Sequence, residues 1–270
     1  MQKAAQHRSL PCKQESSRSK IWVAAFVGTS RVSRIVLFIS LFLLAPQAAL
    51  AQSCPAPLGQ AHRLVLVTAD NFTTSEASAR LYERATPAEP WRAVSAAEPA
   101  LIGRAGMAWS YFFRKFAGAG EPIKVEGDKR VPAGIYQIGR SFGTLPPNRA
   151  DYLHVTDGVT CVNDIASPAY NTIASRADIG GKAHGENMWR APEYRRGLLV
   201  NYPTNAKARA GSCIFIHVRL PKNTGTGGCV ALPQARVEAL QNFAEKGAVL
   251  AVLPRPALDR FSCLPEADKP

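Results

Sequence analysis

No unbroken run of about 20 apolar residues, the length a membrane-spanning helix needs, occurs in this 270-residue chain. It also lacks a low-complexity tract, a His/Glu spacing of the zinc-binding kind, and a glycine-rich phosphate loop between a strand and a helix. No metal and no cofactor is therefore indicated. Lys and Arg outnumber Asp and Glu by 33 to 20, yet the basic residues are scattered and no basic helix interleaves with aromatics, which argues against nucleic acid as a partner. With 46% apolar residues the chain has enough material for one ample core.

Residues 35–44 are apolar except for Ser40, follow Arg31 and Arg34, and lead to Ala49-Leu50-Ala51. That is the pattern of an export signal with its A-x-A cleavage site, so residues 1–51 read as a signal with a long basic extension and 52–270 as one domain starting at Gln52. An uncleaved signal anchor is the alternative, and the length of 1–30 suggests a misassigned start. Seven basic residues and Glu15 precede Gln52, a net +6, which lowers the charge of the mature part from +13 to +7.

Residues 211–232 carry the chemistry. If 212–218 is a strand, Cys213, Phe215 and His217 share one face and Ile214 and Ile216 the other, which gives His217 a fixed direction. A Gly- and Thr-rich loop then delivers Cys229 behind Gly227 and Gly228, residues without Cβ that let backbone N–H groups approach a reacting oxygen. A thiol is mostly protonated at neutral pH, and an imidazole that takes its proton makes it a nucleophile. Taken singly, such a cysteine is a small buried hydrophobe and such a histidine an ordinary strand residue. The costly glycine pair favours the catalytic alternative, with an oxyanion hole from Gly228 and Cys229 N–H groups.

Thr226-Gly227-Gly228-Cys229, with His217 upstream, resembles the catalytic signature of the L,D-transpeptidases, the YkuD-type domains. The blocks 103–106, 124–130, 132–136 and 163–171 resemble successive segments of one bacterial branch, so the likeness spans about 62–254. It implies a Cys229 thioester formed on peptidoglycan stem peptides, His217 as base, and Thr226 orienting the imidazole. It adds weight to Tyr170 and Asn171 as substrate-binding residues, with Glu186 and Arg219 as further candidates, and the export signal makes the periplasm or cell envelope the expected location. Two departures stand out: many members have His at Gly227 and Arg at Ala231. The expected activity is an L,D-transpeptidase; a hydrolase or L,D-carboxypeptidase using the same site, and a non-catalytic wall-binding protein, are the alternatives.

The mature part has five cysteines, an odd number for an oxidising compartment, so one thiol stays free. With Cys229 as that thiol, Cys54–Cys263 is the preferred bridge, since termini often meet. Cys213 either pairs with Cys161 or is a buried thiol near the site. Short strands between Gly, Pro and Asn turns, at 62–68, 79–84, 101–103, 134–139, 152–156, 197–202, 212–218 and 248–253, predict a mainly β sandwich or barrel. One principal helix is expected at 233–246, beginning four residues after Cys229 and placing its positive end near the thiolate. Residues 126–128 read as a turn, 184–189 as a cleft-lining loop, and His154 as a packed strand residue.

Overall fold

The computed structural model describes residues 54–180, 183–245 and 247–269. The apolar run, the cleavage site and the rest of segment 1–51 lie outside the described residues. In chain order the strands are β1 (Arg63–Ala69), β2 (Glu76–Glu83), β3 (Arg92–Ala93), β4 (Glu98–Leu101), β5 (Met107–Trp109), β6 (Val131–Gly143) and β7 (Tyr152–His154). They continue with β8 (Val159–Val162), β9 (Ile173–Ser175), β10 (Gly185–Asn187), β11 (Gly197–Val200), β12 (Phe215–Val218), β13 (Val230–Leu232) and β14 (Val249–Pro254). The α-helices are α1 (Ala56–Gly59), α2 (Arg176–Ile179) and α3 (Gln234–Ala244).

The fold is mainly β, and of sandwich and barrel it is the barrel. The ring β1-β14-β6-β11-β12-β13-β4-β2 closes because β2 also pairs with β1, so these strands leave no open edge. β1 and β14 pair in parallel and are buried almost throughout, which is why both read as continuous apolar runs rather than alternating ones. Ile135, Ile216, Val230, Leu250 and Val252 belong to the main core. α3 packs Val237 and Leu240 into that core against β11 and β12, and the buried Gln241 donates from Nε2 to the Gly197 carbonyl at 2.9 Å.

A separate antiparallel sheet, β10-β8-β9, forms a cap. Between it and the barrel lies a second small core, in which Cys161 and Met188 meet Phe142, Tyr194, Phe215 and Cys229. The described residues contain two disulfides. Cys54–Cys263 joins the two ends of the described chain, and Cys161–Cys213 ties the cap to the segment entering β12. Among the described residues Cys229 is the free thiol, and it is buried.

Several expected boundaries shift. The strand placed at 101–103 ends at Leu101, and Gly103 makes only a bridge to Thr226. The strand at 134–139 is the central part of the long β6, which runs through Pro132 because Pro132 keeps its carbonyl as an acceptor and needs no N–H there. Regular structure in β12 starts at Phe215, since Cys213 adopts φ +57°. Pro233 is the cap before α3 rather than its first residue, and β13 intervenes between Cys229 and the helix, so the positive end of α3 does not reach the thiol. His154 is exposed at the end of an edge strand, not packed.

The bridge between Cys54 and Cys263, 209 residues apart in sequence, restricts the unfolded chain over nearly its whole length. Replacing both cysteines by Ser is expected to lower the unfolding free energy by about 2–5 kcal/mol, seen as a lower urea midpoint under non-reducing conditions.

Candidate active site

The parallel pairing of β12 with β13 aligns Ile216 with Val230 and His217 with Ala231. Continued one residue back, the register sets Cys229 level with Phe215. Residues level on neighbouring strands face the same side. Ile216 and Val230 point into the main core, while Phe215 and Cys229 belong to the smaller core under the cap. His217 thus shares Cys229's face one strand across, on a diagonal of about 8 Å between Cα atoms. Both line a polar cleft of about 520 Å³, together with Thr226, Gly228 and Glu186.

The cysteine is held by backbone. Its Sγ accepts the Phe215 N–H at 3.4 Å, and its thiol donates to the Cys213 carbonyl at 3.4 Å. Cys213 presents that carbonyl from a left-handed conformation, stabilised where its N–H donates to Asn171 Oδ1 at 2.9 Å. Thr226 braces the other side: its hydroxyl donates to the Cys229 carbonyl at 2.7 Å and accepts the Gly228 N–H at 3.1 Å. Of the two glycines only Gly228 is required by the backbone. Its φ is +147°, and a Cβ there would lie 3.1 Å from the Arg130 carbonyl oxygen, whereas a Cβ on Gly227 would meet nothing within 4 Å.

His217 is buried, with Nδ1 3.0 Å from the Val218 carbonyl. A carbonyl only accepts, so Nδ1 carries the hydrogen and Nε2 keeps its lone pair for use as a base. The ring of Tyr194 packs edge-on against the imidazole with centroids 5.4 Å apart. Burial first, and then the Glu186 charge, push the Cys229 thiol up to about 12, the Phe215 N–H opposing. Burial lowers the His217 pKa, with the bond to Val218 opposing. At neutral pH the resting pair is therefore thiol and neutral imidazole, not an ion pair.

The remaining expected residues divide. Glu186 lines the cleft. The Tyr170 hydroxyl is taken up by Glu126 Oε2 at 2.5 Å, and Asn171 spends its amide on the Tyr202 carbonyl and on Cys213, so both position the site's frame instead of facing the cleft. Arg219 is exposed, outside the cleft lining, because it leaves β12 one residue past the strand's end. Thr226 does not orient the imidazole: its hydroxyl serves the Cys229 turn, its carbonyl accepts from Arg104 N–H, and Val218 takes the histidine's bond. The Gly228 N–H, expected to be open for an oxyanion, is donated to Thr226. Glu126 lines the cleft, and the 126–128 segment also makes the expected turn, with Asp128 N–H donating to the Val125 carbonyl. Arg104, Lys129, Glu193 and Tyr194 line the cleft unforeseen. Arg104 and Lys129 stand in two of the blocks that carried the resemblance, whereas nothing local marks Glu193 or Tyr194.

Among the described residues no group of His, Cys, Asp and Glu is placed to hold a metal ion, and no helix is long and apolar enough to cross a membrane. A buried thiol and a neutral imidazole with an unprotonated Nε2 lie on one face of neighbouring strands, in a cleft lined by charges of both signs, an arrangement suited to acyl transfer. The family model of the YkuD L,D-transpeptidase catalytic domain matches residues 75–252, and the chain belongs to that family of cysteine enzymes acting on peptidoglycan. No curated protein and no solved structure matches the chain.

Two outcomes follow from this geometry. With its pKa near 12, Cys229 in the resting enzyme should react with iodoacetamide at pH 7 about 1,000-fold more slowly than a free cysteine, measured by timed alkylation and mass spectrometry. Gly228→Ala should cost at least about 1 kcal/mol in chemical denaturation, while Gly227→Ala should be neutral or slightly stabilising.

Proposed function

We propose that the protein is an exported L,D-transpeptidase working in the periplasm or cell envelope, in which Cys229 attacks a carbonyl of a peptidoglycan stem peptide and an acceptor amine resolves the thioester. What carries this reading is the family match spanning both residues, together with the diagonal placement of His217 and Cys229 on one face. Substrate entering the cleft draws the thiol away from the Cys213 carbonyl. As sulfur attacks, the thiol proton passes to Nε2 of His217, and the resulting imidazolium protonates the departing amine. Starting from two neutral groups, charge separates only as the tetrahedral oxyanion forms. That concentrates electrostatic stabilisation in the transition state.

The Cys229 N–H is the first donor to the oxyanion. The Gly228 N–H joins it once released from Thr226 Oγ1, the only partner it must give up. Ala231 sits level with His217, where many relatives place an arginine, and Arg104 and Lys129 in the same cleft supply positive charge for the carboxylates of the stem in its stead.

Muropeptides incubated with the mature protein should yield cross-linked or exchanged products. Cys229→Ala should abolish them, and His217→Asn should lower kcat/KM by about 10²–10⁴-fold, read by liquid chromatography and mass spectrometry. Because burial depresses the His217 pKa, the base is available at acidic pH, and the acid limb of acylation should fall below pH ~6.5. Cleaved stems alone, with an amine acceptor present, would place the enzyme among the carboxypeptidases. Undiminished activity in Cys229→Ala would end the proposal.

A further inference from the structure

Glu186 occupies a place that the acylation step does not use. It lies on β10, half-buried, in the cleft with Cys229 and His217. Its position relative to the nucleophile is set by a short chain of links. Glu186 pairs with Cys161 across the cap sheet, Cys161 is bonded to Cys213, and the Cys213 carbonyl accepts the Cys229 thiol. The groups acting on it come from three elements: Glu193 and Tyr194 from the turn before β11, Lys129 from the turn before β6, and Cys229 itself. Tyr194 lines the same cleft as Glu186, and its ring packs on His217.

The second half of a transpeptidation needs such a group. A primary amine arrives at neutral pH as an ammonium and must lose two protons to become an amide nitrogen. His217, neutral once the leaving amine has departed, relays one of them to the expelled thiolate. The other needs a second base. We propose that Glu186 is that base: it binds the ammonium of a primary-amine acceptor and takes its first proton, so that neutral amine is delivered to the Cys229 thioester. This rests on the transpeptidase reading above.

The step balances. The acceptor ammonium gives one proton to the Glu186 carboxylate, and the C–N bond forms. The nitrogen then gives a second proton to His217 Nε2, the C–S bond breaks, and His217 returns that proton to Cys229. Glu186 afterwards loses its proton to solvent. Burial holds the Glu186 carboxyl above its ordinary range, with Glu193 adding to the rise, which brings its proton affinity closer to that of the amine it serves.

The test separates the two half-reactions. Wild type and Glu186→Gln are acylated with a donor stem peptide, and the thioester is then resolved either by an acceptor peptide bearing a primary amine or by hydroxylamine, which is neutral at pH 7. The peptide amine should resolve the variant's thioester about 100-fold more slowly than the wild type's, while hydroxylamine resolves both within about threefold. Equal behaviour toward the two nucleophiles, whether both rates fall or neither does, overturns the inference. A wild-type enzyme that forms no thioester at all defeats the transpeptidase reading instead. If Glu186→Gln does not fold, Glu186→Asp decides the matter: selective slowing with the peptide amine supports the role, and parallel slowing or none rejects it.

Discussion

The parallel pairing of β12 with β13 is the constraint on which the site depends. An antiparallel hairpin would need only a tight turn, but a parallel neighbour requires the chain to cross back, and residues 219–229 make that crossing. The crossing is what permits a histidine near the end of one strand and a cysteine just before the start of the next to lie on the same face. It also explains the apolar side of the arrangement. Ile216 and Val230 anchor the same two strands in the main core, so the face carrying His217 and Cys229 cannot rotate without exposing the buried one.

A second constraint is desolvation. Cys229 and His217 are nearly inaccessible, and burial pushes each toward its neutral form. The thiol is stored between a carbonyl acceptor and an N–H donor, both supplied by the chain entering β12. Asn171, the Cys161 disulfide and the left-handed Cys213 jointly fix that carbonyl. A thiol held protonated in this way is a weak nucleophile toward small electrophiles.

How much of this the sequence discloses depends on the range of the forces involved. The alternation at 213–217 separates the two faces correctly, because period-2 patterning survives even where Cys213 departs from regular strand geometry. The mainly β class, α3 and the bridge between Cys54 and Cys263 are legible for similar reasons: apolar period, a helix-starting proline, and chain ends that meet. β13 was hidden because three apolar residues between a cysteine and a proline carry no period of their own. Tyr170 and Asn171 look like substrate-binding side chains in the sequence and Thr226 like a partner of the imidazole, yet each is consumed by a backbone or carboxylate partner that only the fold brings near. Glu193 and Tyr194 reach the cleft through the packing of the cap against the barrel, which no local pattern encodes.

Neutral at rest and set on one face with His217 across two strands, Cys229 carries the proposed acyl transfer. The thioester on Cys229 is tested most directly by intact-protein mass spectrometry of the mature enzyme mixed with a donor stem peptide and quenched in acid within its first turnovers. A mass increase equal to the acyl portion of the donor, mapped by digestion to Cys229 and absent from Cys229→Ala, is the predicted result. Cross-linked product formed without any such adduct, or an adduct carried by another residue, would contradict it.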